Sequence, residues 1–167
     1  KYERELLGFY LSGHPLDTLN GMEKVFQTYT IDEFPLVPGG ESFRICGVVE
    51  DVSKRISKKN NRPWLAFTLS TKEVRYDLQL FSDNFEKFGS LVQEGSLIIV
   101  EGTVRKTAEG YSLNTQRVID FYKNFPYLIK SLHWILYPNE NAIDFFTKLR
   151  QLISKNDGSM EMKVSFC

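Results

Sequence analysis

The sequence predicts a mainly β fold with flanking helices, centred on a five-stranded barrel over residues 41–122. Three observations predict it. The run that begins at Phe43 is rich in Val, Ile and Phe, which suit a pleated, half-buried surface. Farther on, Leu65, Phe67 and Leu69 alternate with Trp64, Ala66 and Thr68, and Tyr76, Leu78 and Leu80 alternate with Arg75, Asp77 and Gln79. Successive side chains on a strand point to opposite faces, so this period marks strands with two unlike sides. Finally, Gly47 and Gly102 interrupt apolar runs, which suggests bends or bulges where a sheet curls on itself.

Before the barrel, residues 1–40 read as a helical connector. Over residues 2–12, Leu7, Tyr10 and Leu11 share a helical face, and Glu3 and Glu5 in the first turn suit the helix dipole. Gly13 and Pro15 end that helix. His14, beside a proline, reads as a structural hydrogen-bonding residue. Asp17 is expected to cap a second short helix carrying Leu19, Met22 and Phe26. Pro35, Pro38, Gly39 and Gly40 then lead into the barrel.

Within the barrel, strand 2 runs from Trp64 to Ser70 and strand 3 from Val74 to Phe81, joined by a short hairpin at 71–73. Asp83 is expected to cap a helix containing Phe85, Phe88 and Leu91. After the Gln93-Glu-Gly95 turn come strand 4, Leu97 to Val104, and strand 5, Tyr111 to Phe121, separated by Glu109-Gly110. The tail, 123–167, has a different rhythm. Leu132 to Tyr137 reads as a strand, Ile143, Phe146, Leu149, Leu152 and Ile153 as one face of a helix, and Met160 to Phe166 as another strand. It is expected to begin a C-terminal β-α-β domain.

Between strands 1 and 2, Lys54, Arg55, Lys58, Lys59 and Arg62 occur with no acidic residue among them. A curled five-stranded barrel with a basic first loop describes an OB-fold, which binds oligonucleotides through its second and third strands and its loops. Those five cations would position a strand through its phosphates rather than read its bases. Trp64 lies on the face opposite Leu65, Phe67 and Leu69, where it would stack on a base, worth about 1–3 kcal/mol; the alternative is packing against a flanking segment. Thr68, Arg75 and Gln79 share that face and suit sugar or phosphate, whereas Asp77 repels phosphate. Arg105 and Lys106, placed in the strand 4–5 loop, form a second contact. Phe43, Phe67, Tyr76, Phe81, Phe85 and Phe88 are assigned to the core.

Lys plus Arg and Asp plus Glu both number 21, so the chain carries no net charge and does not coat nucleic acid by charge alone. Cys46 and Cys167 show no metal or redox spacing; Cys46 reads as a buried small hydrophobe, and the pattern suits a reducing cytoplasm. No run approaches the ~20 apolar residues of a membrane span, and no signal peptide is visible. No Ser-His-Asp set, zinc spacing or phosphate loop is present, and Glu50 and Asp51 are neighbours on a strand that points them apart. The expectation is a non-enzymatic segment with no cofactor and no metal. Starting at Lys1 and stopping just after an apparent strand, the chain reads as a piece of something longer.

One stretch is more specific. Glu5-Leu-Leu-Gly-Phe-Tyr-Leu-Ser-Gly-His-Pro-Leu-Asp17 closely resembles a signature of the bacterial replicative DNA polymerase III α subunit, just upstream of its C-terminal OB domain. Gly47-Val-Val-Glu-Asp51, Lys58-Lys59, Ala66-Phe67, Phe81 followed by Phe85-Glu-Lys87, and Gln93-Glu-Gly95 leading to Val100-Glu-Gly102 also match. The resemblance spans roughly residues 3–121. It implies a DNA-directed DNA polymerase, a nucleotidyltransferase, whose catalytic carboxylates lie in a preceding palm domain. For this segment it implies single-stranded template DNA as ligand and other polymerase III holoenzyme subunits, the clamp loader among them, as partners. The alternative reading is a protein-interaction scaffold that docks the clamp loader or other replisome subunits.

Overall fold

The computed structural model describes residues 15–19, 21–58, 60–129, 131–136, 142–155 and 161–166. The helix expected over 2–12, with Gly13 and His14, lies outside the described residues, as do Lys59, Tyr137, Met160 and Cys167. Five antiparallel strands form the main sheet: β1 (Ser42–Ile56), β2 (Pro63–Ser70), β3 (Arg75–Leu80), β4 (Leu97–Thr107) and β5 (Gly110–Asp120), in the order β3-β2-β1-β4-β5. The outer strands β3 and β5 curl toward one another and share a groove. The alternation of β3 is reproduced, with Tyr76, Leu78 and Leu80 buried and Arg75, Asp77 and Gln79 exposed. Leu65, Phe67 and Leu69 enter the same core with Phe43, Ile45, Val49, Val100 and Val118.

Gly47 does not mark the bulge of β1. It sits in regular pairing opposite Ile98, where a Cβ would come within 2.7 Å of the Ser70 carbonyl oxygen. Its role is close approach of backbone to backbone. The register shifts later, between Glu50 and Ser53, where Asp51 has a φ of 48°. An unpaired extra residue there bends the strand. Gly102 does lie at a register shift, against β5, and a Cβ on it would collide with the Asn114 carbonyl.

The connector is part of the barrel's packing. Phe34 is fully buried and meets Phe43, Tyr76 and Tyr29 edge-on while stacking on Tyr111 at 5.5 Å. Thr30 donates to the Glu33 carboxylate through its amide (2.7 Å) and hydroxyl (3.0 Å), shaping the turn that delivers this ring. Backbone bonds from Gly40 to Val104 and from Val104 to Glu41, both 2.8 Å, stitch the segment to β4. In place of an Asp17-capped helix there are two 3₁₀ turns, Pro15–Leu19 and Met22–Phe26. Asp17 lies within the first and pairs with Lys72 at 3.1 Å. Gly21, at a φ of 88°, prevents the two from merging into one helix. Leu16, Leu19 and Phe26 are buried, and Phe26 meets Phe121 edge-on at 5.7 Å. The turns contact β1, whose outward-pointing Cys46 and Val48 are buried.

The helix after β3 is α1 (Ser82–Phe88), followed by a 3₁₀ turn at Gly89–Leu91. Its N-cap position is Phe81, with no side-chain cap bond; Asp83 falls in the first turn. β5 ends at Asp120, and Phe121 instead opens α2 (Phe121–Leu128). Pro126 in that run argues against a helix from sequence alone, since proline removes a backbone donor.

The chain divides into two compact units, Lys1–Tyr122 and Lys123–Cys167. In the second, β6 (Ser131–Leu136) and β7 (Glu161–Phe166) pair in parallel, and α3 (Ala142–Lys155) lies between them in sequence. Leu149 of α3 is buried, but Ile153, expected on the same apolar face, is half exposed. Among the described residues no helix is long and apolar enough to cross a membrane.

Candidate nucleic-acid interface

The five basic residues are not one loop. Lys54 and Arg55 lie on β1 itself, paired with Leu65 and Trp64 of β2. Adjacent strand residues face opposite ways, and these two cations separate accordingly. The Lys54 ammonium sits 5.5 Å from the centroid of Phe85 on α1. The Arg55 guanidinium sits 5.5 Å from that of Trp64. The true loop, 57–62, is a tight turn in which the Ser57 amide donates to the Arg62 carbonyl at 2.9 Å. Asn61 takes a φ of 53° there. Lys58 is exposed on it, while Arg62 reaches Asp83 at 3.4 Å.

Trp64 is half-buried and lies 5.1 Å from Phe81, tilted by 33°. Its packing partner is therefore the end of β3 rather than a flanking domain. Phe81 is 45% exposed and does not belong to the core. The period of β3 already placed it outward, because Tyr76, Leu78 and Leu80 face in. The pairing of Leu65 with Leu80, one step short of Trp64 and Phe81, makes the two aromatics cross-strand neighbours. Arg55 on β1, Trp64 on β2 and Phe81 just after β3 thus form one row.

Beside this row, Ala66 pairs with Gln79, Thr68 with Asp77, and Ser70 with Arg75. Thr68 donates to Asp77 at 3.0 Å. Arg75 pairs at 3.4 Å with the buried carboxylate of Glu50. Arg75, Asp77, Gln79 and Phe81 form one wall of a groove of about 380 Å³; Arg105, Ser112 and Asn114 line the other side. Arg105 and Lys106 lie on β4, paired with Ser112 and Tyr111, rather than in the following loop. Arg105 faces the groove, whereas Lys106 donates to the Pro35 carbonyl at 2.6 Å and secures the connector.

Tyr76 and Tyr111 also line the groove. Burial pushes the Tyr76 phenol up to about 12, and burial with the nearby Asp32 raises that of Tyr111. Both hydroxyls are protonated donors at neutral pH. The structure thus brings Arg75, Gln79 and Arg105 together, with Trp64 and Arg55 joined to them through Phe81. Lys54, Arg62 and Lys106 are engaged elsewhere, and Lys59 lies outside the described residues.

Comparison with known proteins bears on the fold that carries these residues. Residues 43–120 match the family described as an OB-fold nucleic acid binding domain. The DNA polymerase III subunit alpha of Pseudomonas aeruginosa is 29% identical over 169 residues, covering 99% of this chain and 14% of that protein. The same subunit of Saccharopolyspora erythraea is 32% identical over 111 residues, covering 63% of this chain and 9% of that protein. Among solved structures, a yeast mitochondrial single-stranded DNA binding protein, Rim1, aligns with a TM-score of 0.42 at 18% identity, over 49% of this chain and 94% of its own. The chain spans 9–14% of the length of the first curated relatives it matches. Residues 43–120 have the OB fold, and the chain that contains them is similar, nearly end to end, to a segment of the DNA polymerase III α subunits.

Proposed function

We propose that the barrel holds single-stranded template DNA as a non-catalytic accessory grip of a replicative DNA polymerase. The observation that carries this reading is the outward row Arg55–Trp64–Phe81, continuous through Phe81 with the groove that holds Arg75 and Arg105. Exposed aromatics offer bases a stacking surface, and the arginines offer phosphates a cationic track. Such contacts tolerate sequence, because every base has a π-face. Zero net charge across the chain limits the grip to a local one. It acts beside a polymerase site carried elsewhere in the protein, with the other holoenzyme subunits, including the clamp loader, as its setting.

The test is binding of a labelled single-stranded oligonucleotide and its duplex to the 167-residue chain at several salt concentrations. Trp64→Ala with Phe81→Ala is expected to weaken single-strand binding about tenfold or more, since stacking is worth about 1–3 kcal/mol per base. Arg75→Ser with Arg105→Ser is expected to reduce the steepness of the salt dependence. No single-strand binding by the unaltered chain at low salt refutes the reading and leaves a protein-docking scaffold, which a pull-down with the clamp loader then tests.

A further inference from the structure

We propose that the groove between β3 and β5 reads one base of the bound strand through Asp77, favouring guanine over thymine. This rests on the single-strand reading above and narrows it.

Asp77 stands at the middle of the β3 wall, with Arg75 and Gln79 on either side of it. It is exposed, and Thr68 occupies only its Oδ1. The nearest cation along the strand, Arg75, is turned to Glu50 at 3.4 Å. Asp77 therefore presents Oδ2 as an acceptor with its charge intact. Two like charges about 4 Å apart repel by about 1 kcal/mol in water and about 4 kcal/mol near a protein surface. A phosphate is thus excluded from the middle of the wall. The backbone then runs past Arg105 on the β4 side, and the space beside Asp77 takes a base.

The chemistry of that space selects among bases. A carboxylate accepts and cannot donate. On an unpaired strand the Watson–Crick edge is free to be read. Guanine offers two adjacent donors there, its ring N–H and its amino group, while its O6 and N7 accept from arginine. Thymine offers one donor between two carbonyl oxygens, which a carboxylate repels. The remaining groove groups suit the same base: the amides of Gln79 and Asn114 accept and donate.

The experiment compares an all-thymidine oligonucleotide with one in which a single central position is dG, dA or dC, on the full chain at low salt. The dG oligonucleotide is expected to bind about tenfold more tightly than the all-thymidine one, as a good two-point base contact allows. Asp77→Asn keeps the size of the side chain but adds a donor, and it is expected to level the affinities of the four oligonucleotides. Equal affinity for all four oligonucleotides overturns base reading and leaves the accessory grip standing. Preference that survives in Asp77→Asn removes Asp77 as the reader. Failure to bind any of them overturns both readings together.

Discussion

Replacing Phe34 by Ala removes a ring that the connector inserts into the barrel. Phe34 is completely buried, and four aromatic rings, those of Tyr29, Phe43, Tyr76 and Tyr111, lie against it. Phe→Ala changes in cores cost about 3–5 kcal/mol, the lost transfer energy plus the cavity left behind. Well-oriented ring pairs add about 0.5–1.5 kcal/mol each beyond area, though not additively. The upper end, about 5 kcal/mol, is therefore expected, a large share of the about 5–15 kcal/mol that holds a typical domain together. Urea unfolding measures it, with Trp64 as sole fluorescent reporter in a Trp134→Phe background. Leu36→Ala is the control, because Leu36 lies two residues away but is 83% exposed; its effect should stay within about 0.5 kcal/mol. The midpoint should fall for Phe34→Ala with little change in slope. If the two variants unfold alike, the connector is a tether beside the barrel and the packing argument fails.

Further outcomes follow from buried ionisable groups. Burial, reinforced by nearby Glu23, pushes the Cys46 thiol up to about 12. The native thiol should resist iodoacetamide at pH 8 and react only on unfolding; prompt labelling of the native chain contradicts this. Raised folded-state values for Cys46 and Tyr76 stabilise the protein fully below the unfolded values, about 8.5 and 10, and that contribution is lost as pH climbs toward 12. Stability should decline from about pH 9 upward, and less steeply in Cys46→Ala. Lys72, in the β2–β3 turn, is the cation 3.8 Å from the buried carboxylate of Glu23. Lys72→Met should cost about 1–3 kcal/mol, the penalty for stranding a buried polar group, and adding Glu23→Gln should recover part of it. Breaking the exposed Lys24–Glu73 pair nearby should cost far less.

Much of the barrel is legible in the chain because its signals are local. The two-residue period of Leu65 to Leu69 and of Arg75 to Leu80 is the pleat itself, and Glu109-Gly110 turns where its chemistry requires. The same period applied one residue farther would have moved Phe81 outward; assigning aromatics to the core by type hid it. Lys54, Arg55, Arg105 and Lys106 look like loop residues because they are charged, but backbone pairing can continue after a strand leaves the core. The bulge at Asp51 has no local signature, since two partner strands set the register there. The depth of Phe34 depends on Tyr76 and Tyr111, which are remote in sequence. The interface shares this limit: its basic residues are visible in order, but which of them meet in the groove is decided by β3 and β5 coming together.

The bulge of β1 has a consequence for how this protein can change length. Before it, Ser42–Val48 pair with β4 and Val48–Glu50 with β2, and a one-residue slip would turn core side chains toward water. Beyond it, β1 pairs only with β2, and its residues 53–56 are exposed. Around the last pairs, Arg55 with Trp64 and Ile56 with Pro63, one residue can be added to each strand without disturbing the core. The turn at 57–62 would move outward by one step, and the Arg55–Trp64 row would shift along the face. Insertions or deletions should therefore be tolerated here in balanced pairs and resisted singly, so the tip of the β1–β2 ribbon is where the reach of the grip can be adjusted while the barrel stays the same.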